Sequence, residues 1–265
     1  MVRAPDVRLW HSAWRETIHQ AVRRISVQTN TYIATLFPWN RPSRKVALAN
    51  RLLRALGVGS RLVEPLDSWH DMTNQEQRIN IYHLVSQVLR IGVPGAFVEL
   101  GCFVGETAAM IQKINREEGQ PPRSLHLYDS FAVPFYLNRP VREVLEENFR
   151  TRGLPLPAVH AGTFDETLPD ALPDTIAFAH IDCGFGGDPE AHSAVVRHCL
   201  EHVHPRLSAG AALLLMDYAA PESWPRAVDV NPGVRRAADA FFADKPETVR
   251  LLYAGEGSQG VVFKA

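Results

Sequence analysis

Short apolar runs recur along the chain after residue 71, and stretches with helical spacing of apolar residues lie between them. The runs predict strands at 96–99, 124–129, 158–160, 175–182, 211–216, 248–254 and 260–264, and the first of them follows a predicted helix at 79–89. Because strands that alternate with helices are joined by right-handed crossovers, the pattern predicts a doubly wound α/β fold with a mostly parallel sheet. Gly255 and Gly257 separate the last two strands, which we expect to pair as an antiparallel edge.

The first part of the chain has a purely helical pattern. Apolar residues at positions 49, 52, 53 and 56 predict a helix that ends at Gly57. An earlier amphipathic segment, 14–25, carries arginines on its polar side, which we interpret as a solvated face. The sequence therefore predicts two parts, with 1–70 as a helical lid or dimerisation segment and 71–265 as the main domain.

The composition favours a protein that acts on a small molecule. The 265 residues are 46% hydrophobic and 22% charged, enough to bury one α/β core. A net charge of -1 and a pI near 6.8 provide no basic surface for nucleic acid or for an anionic membrane. The 3 cysteines form no C-x-x-C pair, and no apolar run approaches the roughly 20 residues that span a bilayer. We expect a cytoplasmic protein with reduced thiols.

A tight turn that follows the first strand is the strongest sign of a ligand site. The strand ends at Glu99, Gly101 and Gly105 form the turn, and a helix follows. Glycine allows the backbone to approach a ligand closely at the carboxyl end of such a strand. Asp129 ends the next strand and is suited to bind the two hydroxyls of a ribose. A generic strand-turn-helix corner is the alternative interpretation of the turn, which lacks the dinucleotide motif G-x-G-x-x-G.

Three acidic residues end apolar strands and are expected to converge. Because the carboxyl ends of parallel strands meet at one edge of the sheet, Glu99, Asp129 and Asp182 should line a single crevice. Each one alone is equally explained as a helix cap or a turn residue. The convergence of all three favours a binding site.

A second group of candidate residues surrounds the fourth strand. Alternation along the strand places His180 and Asp182 on one face, where Asp182 is a candidate base or metal ligand. The alternative for His180 is a strand histidine that bonds a neighbouring backbone group. Asp217 ends the next strand and is a candidate to share an ion with Asp182, since two carboxylates plus waters suffice for magnesium.

The order of the motifs resembles that of the macrocin O-methyltransferase (TylF/MycF-type) family, from about residue 70 to the end of the chain. The matching segments are Met72-Thr73, Arg78, 92–95, 98–103, 162–169, 180–183, 205–210, Asp217-Tyr218 and 232–237. The resemblance implies a Rossmann-like class I methyltransferase sheet that binds S-adenosyl-L-methionine. It also implies a homodimer that methylates a hydroxyl of a natural product or its sugar, often with magnesium.

The resemblance also implies a set of cofactor-binding residues. Glu99 and the two glycines would line the methionine end, Asp129 would bind the ribose, and Thr163 and Phe164 would flank the adenine. Met72 and Thr73 would close over the cofactor. The whole set is Met72, Thr73, Glu99, Gly101, Gly105, Thr107, Asp129, Ser130, Thr163, Phe164 and Asp182.

Two departures from the family pattern leave the metal and the base open. Met216 stands where the family has the first of two adjacent acids, and a thioether is a poor ligand for a hard cation. Gly184 replaces a further acid, for which Asp188 or Glu190 could substitute as ligands. These glycines and acids are equally consistent with a solvated loop.

Several alternatives remain open at the level of sequence. The base is Asp182, with His180 and His192 in reserve, and the metal ligands, if an ion is used, are Asp182 and Asp217. Trp69 and Trp224 could stack on an acceptor or pack at an edge. Other interpretations are a metal-independent methyltransferase or a degenerate fold that only binds a ligand. A nicotinamide-dependent oxidoreductase is disfavoured because the glycine motif for its phosphates is missing.

Overall fold

The computed structural model describes residues 44–58, 72–119, 121–135, 137–183, 187–222, 229–254 and 258–265. The chain divides into two compact units, Met1–Gln75 and Glu76–Ala265. The predicted segment 14–25 and both Trp69 and Trp224 lie outside the described residues.

The first unit contains helix α1 (Arg44–Ala55), which confirms the helix predicted from the apolar spacing. Leu53 is buried, whereas Leu48, Leu52 and Leu56 are exposed. The helix begins at Arg44, five residues before the apolar stripe from which it was predicted.

The second unit is built on a seven-stranded sheet with the order β3-β2-β1-β4-β5-β7-β6. The strands are β1 (Ala96–Leu100), β2 (Leu125–Asp129), β3 (Ala158–Ala161), β4 (Ile176–Ile181), β5 (Leu207–Met216), β6 (Arg250–Leu252) and β7 (Gln259–Phe263). The first five strands pair in parallel, and β7 pairs antiparallel with both β5 and β6. The mostly parallel sheet with an antiparallel edge is confirmed.

Helices connect these strands. They are α2 (Gln75–Arg90), α3 (Glu106–Glu118), α4 (Val141–Thr151), α5 (Phe164–Thr167), α6 (Pro189–Val203) and α7 (Pro232–Phe242). Within the described part of the chain, no helix combines the length and the apolar character that a membrane span needs.

Two strands differ from the prediction by more than one residue at an end, and the other strands differ by one residue. β5 begins at Leu207, four residues before the predicted start, because the polar and small residues 208–210 continue the strand without an apolar run. β6 is limited to Arg250–Leu252, since it lies at the edge of the sheet and pairs on one side only.

The centre of the sheet is fully buried. Every residue of β1 and of β4 is buried, including the polar Glu99 and His180. The chain leaves β1 for β2 on one side, and it later returns to place β4 on the other side. Their carboxyl ends therefore form the topological switch point where open α/β sheets bind ligands.

Candidate active site

Gly101 and Gly105 shape the turn that follows β1, and both have left-handed backbone angles, with φ of 83° and 75°. A Cβ atom at Gly101 would lie 1.9 Å from the carbonyl oxygen of Asp182, and one at Gly105 would lie 2.9 Å from Leu145 Cγ. Both glycines are therefore required by packing against this protein's own β4 end and α4. Their contact with a cofactor stays a prediction.

Asp129 connects this turn to the loop that follows β2. Its Oδ2 accepts hydrogen bonds from the backbone N–H groups of Cys102 and Phe103, at 3.0 Å and 2.8 Å, and its Oδ1 accepts from Phe131 at 2.8 Å. A carboxylate has about four acceptor positions, so Asp129 keeps capacity for a further donor such as a ribose hydroxyl. Ser130 is exposed, and its hydroxyl accepts from the Ala132 N–H.

Glu99 and His180 form a buried pair across β1 and β4. The two residues stand opposite each other in the strand register, and His180 Nδ1 lies 2.8 Å from Glu99 Oε1. Glu99 Oε2 and His180 Nε2 have no hydrogen-bond partner among the described residues. The alternative in which His180 bonds a neighbouring backbone group is wrong, because the residue facing it across the strands carries a carboxylate.

Burial and charge act together on the protonation of this pair. Burial raises the pKa of Glu99, against the opposing effect of the hydrogen bond from His180. Burial alone would lower the pKa of His180, but the hydrogen bond and charge of Glu99, with Asp182 and Asp217, raise it overall. The pair is therefore expected to retain a proton near neutral pH.

Asp182 and Asp217 follow the ends of β4 and β5 and interact electrostatically. Burial and the charge of Asp217 raise the pKa of Asp182 to about 7. Burial also raises the pKa of Asp217, while a hydrogen bond from Asn231 opposes the shift. Asn231 Nδ2 donates to Asp217 Oδ2 at 2.7 Å, and Asp217 itself has a left-handed φ of 58°. The two acids predicted to meet do lie close enough to influence each other's protonation.

His192 supports the end of β4 from helix α6. It is buried, and its Nε2 lies 2.7 Å from the carbonyl oxygen of Cys183. Because a carbonyl oxygen can only accept, Nε2 carries the proton and donates it. A Cβ at Gly233 would lie 2.9 Å from the other ring nitrogen, Nδ1, so α7 packs closely on this side. The geometry gives His192 a role in holding the backbone next to Asp182.

The loop acids proposed as substitute ligands are engaged elsewhere. Asp188 caps α6, and its carboxylate accepts from the N–H groups of Glu190 and Ala191 at 3.3 Å and 3.2 Å. Glu190 forms an exposed ion pair with Arg236. Gly184 lies outside the described residues. The observed contacts favour the interpretation of the loop acids as solvated and capping residues.

The remaining predicted cofactor residues show mixed environments. Met72 is exposed with a φ of 52°, and Thr73 is buried. Thr163 caps the short helix α5 in a capping box with Glu166, and Phe164 is half-buried. Thr107 is half-buried in the first turn of α3. Their cofactor contacts stay predictions.

Asn231 is not among the site residues predicted from the sequence. Its only signal in the sequence is its place directly before the Pro232-Gly233 motif.

The strand order and the acid-rich switch point define the class I S-adenosylmethionine-dependent methyltransferase fold. The profile of the macrocin-O-methyltransferase (TylF) family matches residues 50–238, and the chain belongs to this family. One curated relative and three solved structures are also similar to this chain.

One curated relative is the 8-demethyl-8-(2,3-dimethoxy-alpha-L-rhamnosyl)-tetracenomycin-C 4'-O-methyltransferase of Streptomyces olivaceus, 28% identical over 173 residues. The match covers 57% of this chain and 63% of the relative, so it spans less than two thirds of the relative's length.

Solved structures share the fold at low identity. The O-methyltransferase NovP aligns with a TM-score of 0.58 and 21% identity, covering 72% of this chain and 81% of NovP. CalS11, a TDP-rhamnose 3'-O-methyltransferase, aligns with a TM-score of 0.52 and 18% identity over 84% of this chain and 96% of its own. TomG from Streptomyces achromogenes, solved in complex with SAM, aligns with a TM-score of 0.54 and 13% identity. The alignment covers 89% of this chain and 95% of TomG.

Proposed function

We propose that this protein is an S-adenosylmethionine-dependent O-methyltransferase that acts on a hydroxyl group of a small natural product or of its sugar. The observation that carries the proposal is the acid pair Asp182 and Asp217, placed at the switch point of a class I methyltransferase fold. Membership of the macrocin-O-methyltransferase family and the rhamnosyl 4'-O-methyltransferase relative support the reaction and the class of acceptor.

The residues of the crevice fit the cofactor. Glu99 Oε2 is a buried acceptor without a partner among the described residues, and Asp129 retains acceptor capacity beside the turn. These acceptors match a ligand with ammonium and hydroxyl donors. When bound, S-adenosylmethionine supplies an electrophilic methyl group on a sulfonium.

Asp182 is the proposed base for the acceptor hydroxyl. With a pKa of about 7, its carboxyl group is partly ionised at neutral pH and can take up a proton during the transfer. Asp217 orients the acceptor beside it, and the proton remains within the acid pair. Alignment of the hydroxyl with the methyl group is the larger contribution, since positioning supplies about 7–11 kcal/mol in favourable cases.

A calorimetric titration with S-adenosylmethionine and with a nicotinamide dinucleotide tests the cofactor, and we expect binding of the first only. A methyl-transfer assay over nucleotide-linked deoxysugars and rhamnosylated natural products then tests the reaction by release of S-adenosylhomocysteine. Binding without transfer to any acceptor would favour the alternative of a fold that only binds ligands. We also predict that residues 1–70 form a lid or a dimer contact. A homodimeric state and a cytoplasmic location are further predictions.

A further inference from the structure

The side chains around Asp182 and Asp217 do not form the ligand set that a divalent cation requires. We infer that the two aspartates act as an acid pair without a bound cation. The Asn231 amide holds Asp217, and the Gln259 amide donates to the thioether of Met216, the residue directly before Asp217. This inference rests on the proposed methyl transfer and concerns the same site.

The side chains near the two aspartates are poorly suited to bind a divalent cation. Among the described residues, no group of three or more His, Cys, Asp or Glu side chains is arranged to hold a metal ion. Magnesium and calcium prefer oxygen ligands, whereas the end of β5, directly before Asp217, offers the thioether of Met216. Met216 is 3% exposed and its Sδ lies 3.5 Å from Gln259 Nε2, so the group at this position is a buried thioether in contact with an amide donor.

The second argument is the orientation of Gln259. This residue pairs with Met216 across β5 and β7, is fully buried, and directs its Nε2 to Met216 Sδ at 3.5 Å. Its Oε1 accepts from Asn80 Nδ2 at 2.9 Å. Rotation of the Gln259 amide by half a turn would place two donors face to face, so Asn80 fixes the N–H end toward Met216. A fixed amide donor at this position disfavours a cation.

The third argument is the hydrogen bond between Asn231 and Asp217. Asn231 is buried at the start of α7, and its 2.7 Å bond occupies Oδ2 of Asp217. The turn at Asp217 is held on its other side by Tyr218, whose hydroxyl donates to Asp239 at 2.6 Å. Ser258 also donates to the Tyr218 carbonyl oxygen at 2.7 Å. These protein groups position Asp217.

These contacts give the two aspartates different roles. Asn231 and the turn fix Asp217, and His192 fixes the backbone next to Asp182 through Cys183. Asp182 therefore meets the acceptor hydroxyl directly, beside the Asp217 carboxylate that Asn231 holds. Asn231 is a positioning residue for this pair.

A Mn²⁺ titration followed by electron paramagnetic resonance tests the inference on the full-length protein saturated with S-adenosylhomocysteine. We expect no stoichiometric binding by the wild type. Met216→Asp restores a third carboxylate and should bind Mn²⁺ at least ~10-fold more tightly than the wild type, whereas the control Met216→Leu should not. Thermal unfolding confirms that each variant is folded.

Tight binding of one Mn²⁺ by the wild type that is lost in Asp217→Asn would overturn the inference. A folded Met216→Asp variant that binds as weakly as the wild type would contradict the role given to Met216. The titration needs no acceptor, so its outcome is separate from a failure of the proposed function, which would appear as absence of methyl transfer with or without Mn²⁺.

The role of Asn231 has its own test once an acceptor has been found in the methyl-transfer assay. Asn231→Ala should lower kcat about 10-fold at saturating substrates, with an unchanged Kd for S-adenosylmethionine. A merely structural role would weaken cofactor binding and lower Tm as well. Wild-type turnover in Asn231→Ala would overturn the assignment.

Discussion

The carboxylate of Glu99 and the imidazole of His180 face each other across the two central strands, 2.8 Å apart and shielded from solvent. Removal of one partner of a buried ionic pair leaves the other without compensation, which costs about 3–5 kcal/mol. The neighbouring strands β1 and β4, whose other residues are apolar, are thereby joined by a polar contact. This relationship links the turn that follows β1 to the acid that follows β4.

Glu99→Ala and His180→Ala should each lower the free energy of unfolding by about 3–5 kcal/mol. The double variant should cost clearly less than the sum of the two, because the second change removes a group that the first has already isolated. Urea denaturation of the four proteins measures this coupling. Additive losses would show that the pair does not interact in the folded state.

Stability should fall as pH rises from about 4 to about 7 because of Asp182. Its folded-state pKa of about 7 lies above the unfolded value, so the folded protein binds this proton more tightly. The stabilisation is present below pH ~4 and is lost as pH rises toward ~7, which corresponds to at most about 4 kcal/mol. Denaturation curves of the wild type and of Asp182→Asn should differ in this window, with the variant less dependent on pH. Parallel pH profiles would contradict the raised pKa.

Gly101→Ala should destabilise the protein by several kcal/mol, because the added Cβ would lie 1.9 Å from the Asp182 carbonyl oxygen. Gly153→Ala is the matched control, since Gly153 also has a positive φ, of 64°, but has nothing within 4 Å of the added atom. The control should cost only the left-handed strain of about 1–2 kcal/mol. Equal losses in thermal unfolding would show that the contact with Asp182 is unimportant.

Asp129→Asn should reduce both stability and cofactor affinity, because the carboxylate accepts three backbone N–H groups from two loops. An amide has one acceptor oxygen and would direct its own donors at these groups. We expect a lower Tm and a Kd for S-adenosylmethionine raised about 10-fold or more. Asp244→Asn, the same change at an exposed aspartate that is not among the predicted site residues, is the control. A weaker Kd at an unchanged Tm would assign Asp129 to ribose binding alone.

Much of the fold could be predicted because the chain marks its strands with apolar runs. The runs before Glu99, Asp129 and Asp182 are buried strands, and parallel pairing brings their ends to one edge as expected. The start of β5 could not be predicted, because residues 208–210 are small or polar. Leu207 pairs with Ile176 of β4, the register then shifts, and the Gly210 N–H donates to the carbonyl oxygen of Lys264.

The candidate site could be predicted only in part. Asp182 and Asp217 were expected to meet because each follows a parallel strand. The contacts of Asn231 and Gln259 depend on tertiary packing between segments 14 and 43 residues apart, and no local pattern encodes them. The partner of His180 was also missed, because strand register decides which side chain faces it.

The measurement that tests the central claim most directly is the turnover of Asp182→Asn with saturating S-adenosylmethionine and an acceptor found in the methyl-transfer assay. The account predicts that kcat falls about 100-fold or more, measured at saturating cofactor. In the wild type, kcat/KM should rise with pH through about 7, as Asp182 loses its proton. Asp188→Asn, at the exposed cap of α6, should retain normal turnover. Near-normal turnover of Asp182→Asn would contradict the account.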